Sequence, residues 1–372
     1  MDVRHAHGTD VHVVRACYHE DGTDLVAVGG NHTVEVLLTT PTTCEVIASF
    51  HIGTRITALA WSSNVTSPSV SDEWSFELAA AGADFGLFLL SKTVGSEEDV
   101  FPFGGGLSGH HGKVNDMAFC GGRTEDSSRY VATVSDDKML MVWDLDPSIV
   151  IASPPLPEVD EQSGLLNRPQ PTAYVVAFPH PLTTVNSHPT TSKEFLVSDC
   201  RGSIFLTDWR SDPDEGEQGG WRSSVLELVE PRALSDSVTG LATKWSGSVS
   251  WRRDSADVVG AAYGSKFAIW DMANLQGGKP SVSGASFTEG GNHFRWCPTY
   301  HEYFAISAAP PTKGAVIHLY NTGYIQAQPT VYNIGSRPLY VRTFDFMADR
   351  GIPRIVAGVG REVVIFYIGD DS

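Results

Sequence analysis

The sequence predicts an all-β protein, a seven-bladed propeller closed by a strand from its own N-terminus. Three observations lead there. Short apolar or alternating runs recur as triplets along all 372 residues, separated by turn residues. Helix-period segments are almost absent, and Gly 36 and Pro 21 supply material for many turns. One unit is written out in full. Gly109-His110 is followed by Val114–Phe119 (VNDMAF), Tyr130–Asp137 (YVATVSDD) and Met139–Leu145 (MLMVWDL).

A unit opened by Gly-His and closed by Trp-Asp carries the WD40 signature. His110, Thr133, Asp137 and Trp143 are the residue types of an Asp–His–Ser/Thr–Trp hydrogen-bond chain. In such a chain a carboxylate orients the imidazole, a hydroxyl relays, and the indole N–H finds a buried partner. The same types could form a catalytic set, but their spacing matches a clamp between strands.

The remaining units follow as strand triplets. Unit one is Val11–Tyr18, Leu25–Gly29 and Thr33–Leu38, with Cys44–Phe50 as a fourth strand. Unit two is Ile56–Trp61, Phe76–Gly82 and Phe85–Leu90. Unit four is Tyr174–Phe178, Phe195–Asp199 and Ser203–Trp209, with Val225–Val229 outside it. Unit five is Val238–Trp245, Asp257–Tyr263 and Lys266–Asp271. Unit six is His293–Cys297, Tyr303–Ala308 and Val316–Tyr320. Unit seven is Leu339–Phe346, Arg354–Gly358 and Glu362–Ile368.

The repeat runs longer than the usual period of about 40–45 residues. The excess lies in Ser62–Ser75, Pro147–Pro171, Ser211–Trp221, Ala273–Gly291 and Asn321–Arg337, read as loop insertions in one domain spanning 1–372. After unit seven only Gly369–Ser372 remain, too few for a fourth strand, so Val3–Ala6 is expected to pair with Glu362–Ile368 and remove an open edge.

Composition narrows the function. A formal net charge of -18 argues against binding nucleic-acid backbones or anionic lipid, both of which need a positive footprint. The start MDVRHAHGTD has no apolar signal-peptide core, and no apolar run approaches the length of a membrane span. The cysteines Cys17, Cys44, Cys120, Cys200 and Cys297 form no CxxC pair and read as buried reduced thiols of a cytosolic or nuclear protein. Gly29-Gly30 and Gly104–Gly106 lack nucleotide-loop spacing. The pairs His5/His7, His110/His111 and His180/His188 lack the third ligand a metal site wants, and Asp212–Glu217 reads as a solvated rim loop. Asp136/Asp137 are explained by a tight turn. No cofactor, metal or catalytic residue is expected, and a propeller hydrolase would need titratable residues converging on the channel.

A propeller without chemistry works through its surfaces. Trp74, Phe101, Phe103, Trp221, Trp251 and Tyr324 fall outside or beside the predicted central strands. Of these, Trp74, Phe101, Trp221, Trp251 and Tyr324 are the candidate partner interface, since aromatic rings anchor interface centres.

In detail the chain resembles the family of 37-kDa WD40 nucleoporins, small propellers of the Y-shaped outer-ring complex of the nuclear pore. The resemblance rests on Asp10–Val14 (DVHVV), Leu25–Asn31 (LVAVGGN) and above all Phe50–Ser62 (FHIGTRITALAWS). It continues through Gly109–Leu145, Gly202–Asp208, Phe267–Asp271, Phe294–Pro298 and Val356–Phe366, covering all units in order. The long insertions after units three and five depart from the pattern, and the ordering of segments looks more fungal than animal. The resemblance implies a non-enzymatic scaffold nucleoporin at the nuclear envelope. Its implied direct partner is the large arm nucleoporin that has its own propeller and a helical domain. Other members of the Y-shaped complex are implied as indirect partners, and in animals the complex also visits kinetochores. The alternative is a WD40 receptor in another nuclear complex, a histone-tail reader or a ubiquitin-ligase substrate receptor. The charge of -18 suits basic peptides, but Trp143-Asp144-Leu145-Asp146 and Trp270-Asp271-Met272-Ala273 lack the WDxR arginine common in ligase receptors.

Overall fold

A computed structural model describes residues 2–147, 169–210, 225–228, 247–308 and 314–369. They form seven four-stranded antiparallel sheets. Blade one is β2 (Val13–Ala16), β3 (Leu25–Gly29), β4 (Thr33–Thr39) and β5 (Cys44–His51). Blade two is β6 (Ile56–Thr66), β7 (Ser75–Gly82), β8 (Leu87–Thr93) and β9 (Asp99–Phe103). Blade three is β10 (Val114–Phe119), β11 (Tyr130–Ser135), β12 (Met139–Asp144) and β13 (Thr172–Ala177). Blade four is β14 (Leu182–Ser187), β15 (Glu194–Asp199), β16 (Ile204–Asp208) and β17 (Val225–Leu228). Blade five is β18 (Ser248–Trp251), β19 (Val258–Tyr263), β20 (Lys266–Asp271) and β21 (Val282–Ala285). Blade six is β22 (Gly291–Trp296), β23 (Tyr303–Ala308), β24 (Ala315–Asn321) and β25 (Thr330–Gly335).

Blade seven joins β26 (Val341–Phe346), β27 (Arg354–Val359) and β28 (Glu362–Tyr367) to β1 (Val3–Ala6). Val3 pairs with Ile365 and Ala6 with Glu362, and Arg4 adds a 2.8 Å ion pair to Glu362. The first strand of each blade touches the first strand of the next, and β26 touches β2 to complete the ring. Deleting residues 1–8 is expected to lower the melting temperature more than deleting an equal stretch around Asp212–Glu217, which lies outside the described residues. Calorimetry checks this, and equal losses would mean that the closing strand adds no stability.

Burial follows the strand position within a blade. The second and third strands are covered on both faces by their own and neighbouring blades, so β3, β11 and β27 are buried at every residue. The fourth strands are half-exposed, and β13 alternates between intermediate and open positions. Seven apolar clusters fill the interior, most of them bridging adjacent blades, and Phe267 of blade five packs on Phe304 and Tyr320 of blade six.

Two strand assignments from the sequence are corrected. Thr172–Ala177 is the outer strand of blade three, paired with β12, and blade four begins with Leu182–Ser187. The run Val238–Trp245 lies outside the described residues, and the innermost strand of blade five is Ser248–Trp251. The segments 273–291 and 321–337 hold β21 and β25, so each of these insertions includes a blade's outer strand rather than loop alone. All five cysteines are free thiols, with Cys17, Cys120 and Cys297 buried.

Candidate interaction surfaces and the central channel

The polar set of blade three is assembled as a chain. Trp143 donates its indole N–H to Thr133 Oγ1 at 3.0 Å, and Thr133 lies 2.8 Å from His110 Nε2. His110 Nδ1 lies 2.8 Å from Asp137 Oδ2, which also accepts the backbone N–H of His111. One tautomer fits every contact: Nδ1–H donates to the carboxylate and Nε2 accepts the hydroxyl proton. Burial lowers the His110 pKa below its ordinary value, opposed by Asp137. Burial would raise the Asp137 pKa, but His110 and the backbone donors His111 and Met139 outweigh it and hold the carboxyl down. Gly112 is required here, because a Cβ would sit 2.7 Å from the Asp137 backbone nitrogen. Thr133 is fully buried, so its hydroxyl is out of reach of any substrate. The arrangement ties the strand entrance to the tight turn and to β12. Asp137→Ala is expected to cost about 1–3 kcal/mol in chemical denaturation, and an unchanged midpoint would show that the chain of bonds adds nothing.

The interface candidates do not come together. Trp251 is a core residue of β18, 3% exposed, with its indole donating to Ala256 O at 2.8 Å and its ring edge-on to His188. It is removed from the interface set, because the true inner strand of blade five ends on it. Trp74 is half-buried and stacks on Phe76 with ring centroids 5.9 Å apart. Phe101 is half-buried in β9 and packs against the apolar cluster around Leu87 and Trp143. Phe103 is buried edge-on to Trp143. Tyr324 is 76% exposed. Trp221 lies outside the described residues. Other exposed apolar side chains sit on fourth strands: Tyr174 and Val175 on β13, Leu226 on β17 and Val331 on β25. Tyr174 also packs on Trp209 of blade four, 5.2 Å between rings, which joins the outer faces of blades three and four.

The sequence reading missed the ends of the seven inner strands, which surround a cavity of ≈ 960 Å³ on the channel axis. Four charged residues there sit inside otherwise apolar strands. Arg15 of blade one donates to Asp116 of blade three at 2.6 Å, passing over blade two. Asp116 also accepts the backbone N–H of Val185 in blade four at 3.2 Å. Asp345 of blade seven accepts from Tyr18 and from Ala16 N of blade one, and lies 3.7 Å from Arg295 of blade six. This hub ties together blades that do not touch around the ring. Burial would lower the Arg15 pKa, but Asp116 and Asp345 outweigh it and raise the guanidinium above its ordinary value. For Asp345 burial wins and raises the carboxyl, against the pull of Arg295 and Arg15. A signal was present in the sequence, one charge in each apolar run VVRA, VNDMAF, HFRW and TFDF.

Ring, blade motif and clamp together define a WD40-type seven-bladed β-propeller. Among the described residues no group of three His, Cys, Asp or Glu is placed to hold a metal ion. The chain is similar to nucleoporin Nup37 of Mus musculus, 23% identical over 355 residues that cover 92% of this chain and 91% of that protein. It is likewise similar to nucleoporin Nup37 of Homo sapiens, 23% identical over 327 residues, 85% of this chain and 83% of the other. The resemblance seen in the motifs is therefore to the 37-kDa nucleoporin, over nearly the whole propeller. No family model matches the chain. Among solved structures, Raptor of Chaetomium thermophilum superposes with a TM-score of 0.66 at 14% identity, covering 99% of this chain and 29% of that one. This chain thus spans under a third of Raptor's length, and the likeness shows the fold alone.

Proposed function

We propose that this protein is a non-enzymatic scaffold subunit of the nuclear pore, docked on the large arm nucleoporin that has its own propeller and a helical domain. Contact with the other Y-complex members is indirect, and the site of action is the nuclear envelope. The observation that carries this reading is similarity to a nucleoporin over 92% of the chain and 91% of the relative, which spans all the blades rather than one repeat signature. The outer strands support it with a place to dock. Tyr174, Val175 and Leu226 are each at least 43% exposed on the outer strands of blades three and four, and exposed apolar side chains supply anchors for a protein contact. Tyr324, and Trp74 and Phe101 through their open edges, remain candidates on other blades.

Reconstitution tests the reading. The protein and the arm nucleoporin are expected to co-elute in size exclusion at moderate salt, because a stable subunit buries roughly 1,200–2,000 Å² and apolar anchors resist screening. Val175→Glu with Leu226→Glu is expected to release the complex while leaving the unfolding midpoint in place. No hydrolase or transferase activity is expected, with or without added metal. Failure to co-elute, together with tight binding of a histone tail, would favour the peptide-receptor alternative. Against that alternative stands the channel mouth, where five arginines meet three carboxylates and a basic tail would be repelled.

A further inference from the structure

We infer that the mouth of the central channel is a binding site for a short acidic peptide segment of a partner protein, with Arg253 as its central contact. The cavity is lined by Arg15, Arg123, Arg253, Arg295 and Arg350. The carboxylates among its walls are Glu20, Asp116 and Asp345. Asp116 and Asp345 are spent on Arg15 and Arg295 in the hub. Among the described residues, Arg123, Arg253 and Arg350 have no carboxylate partner. The mouth is thus positive in a protein of net charge -18, and overall basicity does not explain it.

Arg253 follows β18 of blade five, yet its guanidinium lies 4.8 Å from the ring centre of Tyr18 in blade one. Those blades are not neighbours, so the side chain reaches over the channel itself. It is open to solvent within the mouth while surrounded by protein, and that enclosure lowers its pKa from the ordinary arginine value. A guanidinium so placed has donors available, and a carboxylate offers a charge-assisted, two-pronged partner that the tyrosine ring does not. Low-dielectric walls concentrate the field of such a group in the cleft.

Size and spacing favour a peptide over a small ion. The volume of ≈ 960 Å³ is at the upper end of ligand pockets. Arg123, Arg253 and Arg350 rise from blades three, five and seven, so successive carboxylates along an extended chain could meet them where one small anion would meet one. The walls include Trp61, Trp251 and Trp296, whose indole N–H groups are already bonded to Arg15 O, Ala256 O and Ser250 O. All three rings are buried and packed on their neighbours, so they form a fixed apolar wall behind the arginines.

The test is fluorescence anisotropy of a labelled, end-capped oligoglutamate on the full chain at low salt. Saturable binding is expected, and an oligolysine of equal length is expected not to bind. Arg253→Gln combined with Arg123→Gln is expected to weaken binding at least about tenfold. Arg253→Lys is expected to fall between, and Arg361→Gln, on the opposite face and 71% exposed, to change nothing. Unfolding midpoints of all variants exclude a general loss of structure. The inference is overturned by absent or non-saturable binding, by equal affinity in the double variant, or by inorganic phosphate displacing the peptide at equal charge concentration, which would mark a simple anion site. It does not depend on the arm nucleoporin, so failure to reconstitute that complex leaves it standing.

Discussion

Replacing Asp345 with alanine is expected to destabilise the folded protein by about 3–5 kcal/mol, the usual cost of removing one partner from a buried ion pair. The carboxylate is 2% exposed and has three kinds of partner. It accepts the backbone N–H groups of Ala16 and Phe346, at 3.3 and 3.1 Å, and the Tyr18 hydroxyl. It also faces Arg295, itself only 9% exposed, which would be left beside Arg15 with Asp116 as the carboxylate for both. Each loss adds to the next because all the groups are out of water. Asp345→Asn keeps the shape and one acceptor and is expected to lose less. Denaturant unfolding measures both, and a loss under about 1 kcal/mol for the alanine variant would show that the hub does not hold the blades.

Acid is expected to weaken the protein well before its carboxylates titrate. Six histidines, His12, His19, His110, His188, His293 and His318, have pKa values lowered chiefly by burial, His19 to about 4 and His293 to about 3. The cause at His293 is plain. Its Nε2–H donates to Arg342 O at 2.9 Å, while Nδ1 is buried without a partner and faces Arg295 and Arg15. Between the folded pKa and the ordinary value near 6.5, the unfolded chain binds a proton that the folded chain refuses. Stability is therefore complete above that ordinary value and falls as the pH drops below it, by up to about 1.4 kcal/mol per pH unit each for His19 and His293 and by less for the half-buried others. Asp199 and Asp345, raised by burial, act in the opposite sense and gain stability as the pH falls toward the ordinary carboxylate value. The histidine effect begins first and is carried by more groups. A melting temperature flat from pH 7 to pH 5 would contradict this account. His293→Gln keeps the donor to Arg342 and is expected to flatten the curve.

The blade count and the closing strand were legible because both rest on local pattern, strand triplets and a missing outer strand. The clamp residues could be named because His110, Thr133, Asp137 and Trp143 sit at fixed offsets within one repeat. Tyr174–Phe178, read as the first strand of unit four, belongs instead to the outer strand of blade three for a physical reason. TAYVVA carries the apolar content of an inner strand, and only pairing with β12 shows that it lies outermost with Tyr174 open to solvent. Trp251 failed for the related reason that aromatic type does not reveal burial. The hub was invisible to motif reading because Arg15 meets Asp116 across 101 positions, and that meeting exists only when the ring is closed. Single charges in apolar strands were the available hint, and reading them as buried partners would have found the channel.

The union of β1 with β28 also sets a clock on biosynthesis. Arg4 and Glu362 are 358 positions apart, so β1 leaves the ribosome long before the strand it pairs with has been made. Blades one to six can pair their strands as they emerge, but blade seven stays incomplete until β28 has been made. Throughout that interval Val3–Ala6 has no ladder and β26 has no partner blade settled against β2. A growing chain thus carries an unpaired strand and an open apolar flank until β28 emerges, the condition under which nascent chains aggregate or recruit chaperones. Truncated products that stop before residue 362 would leave the ring permanently open and be natural substrates for quality control.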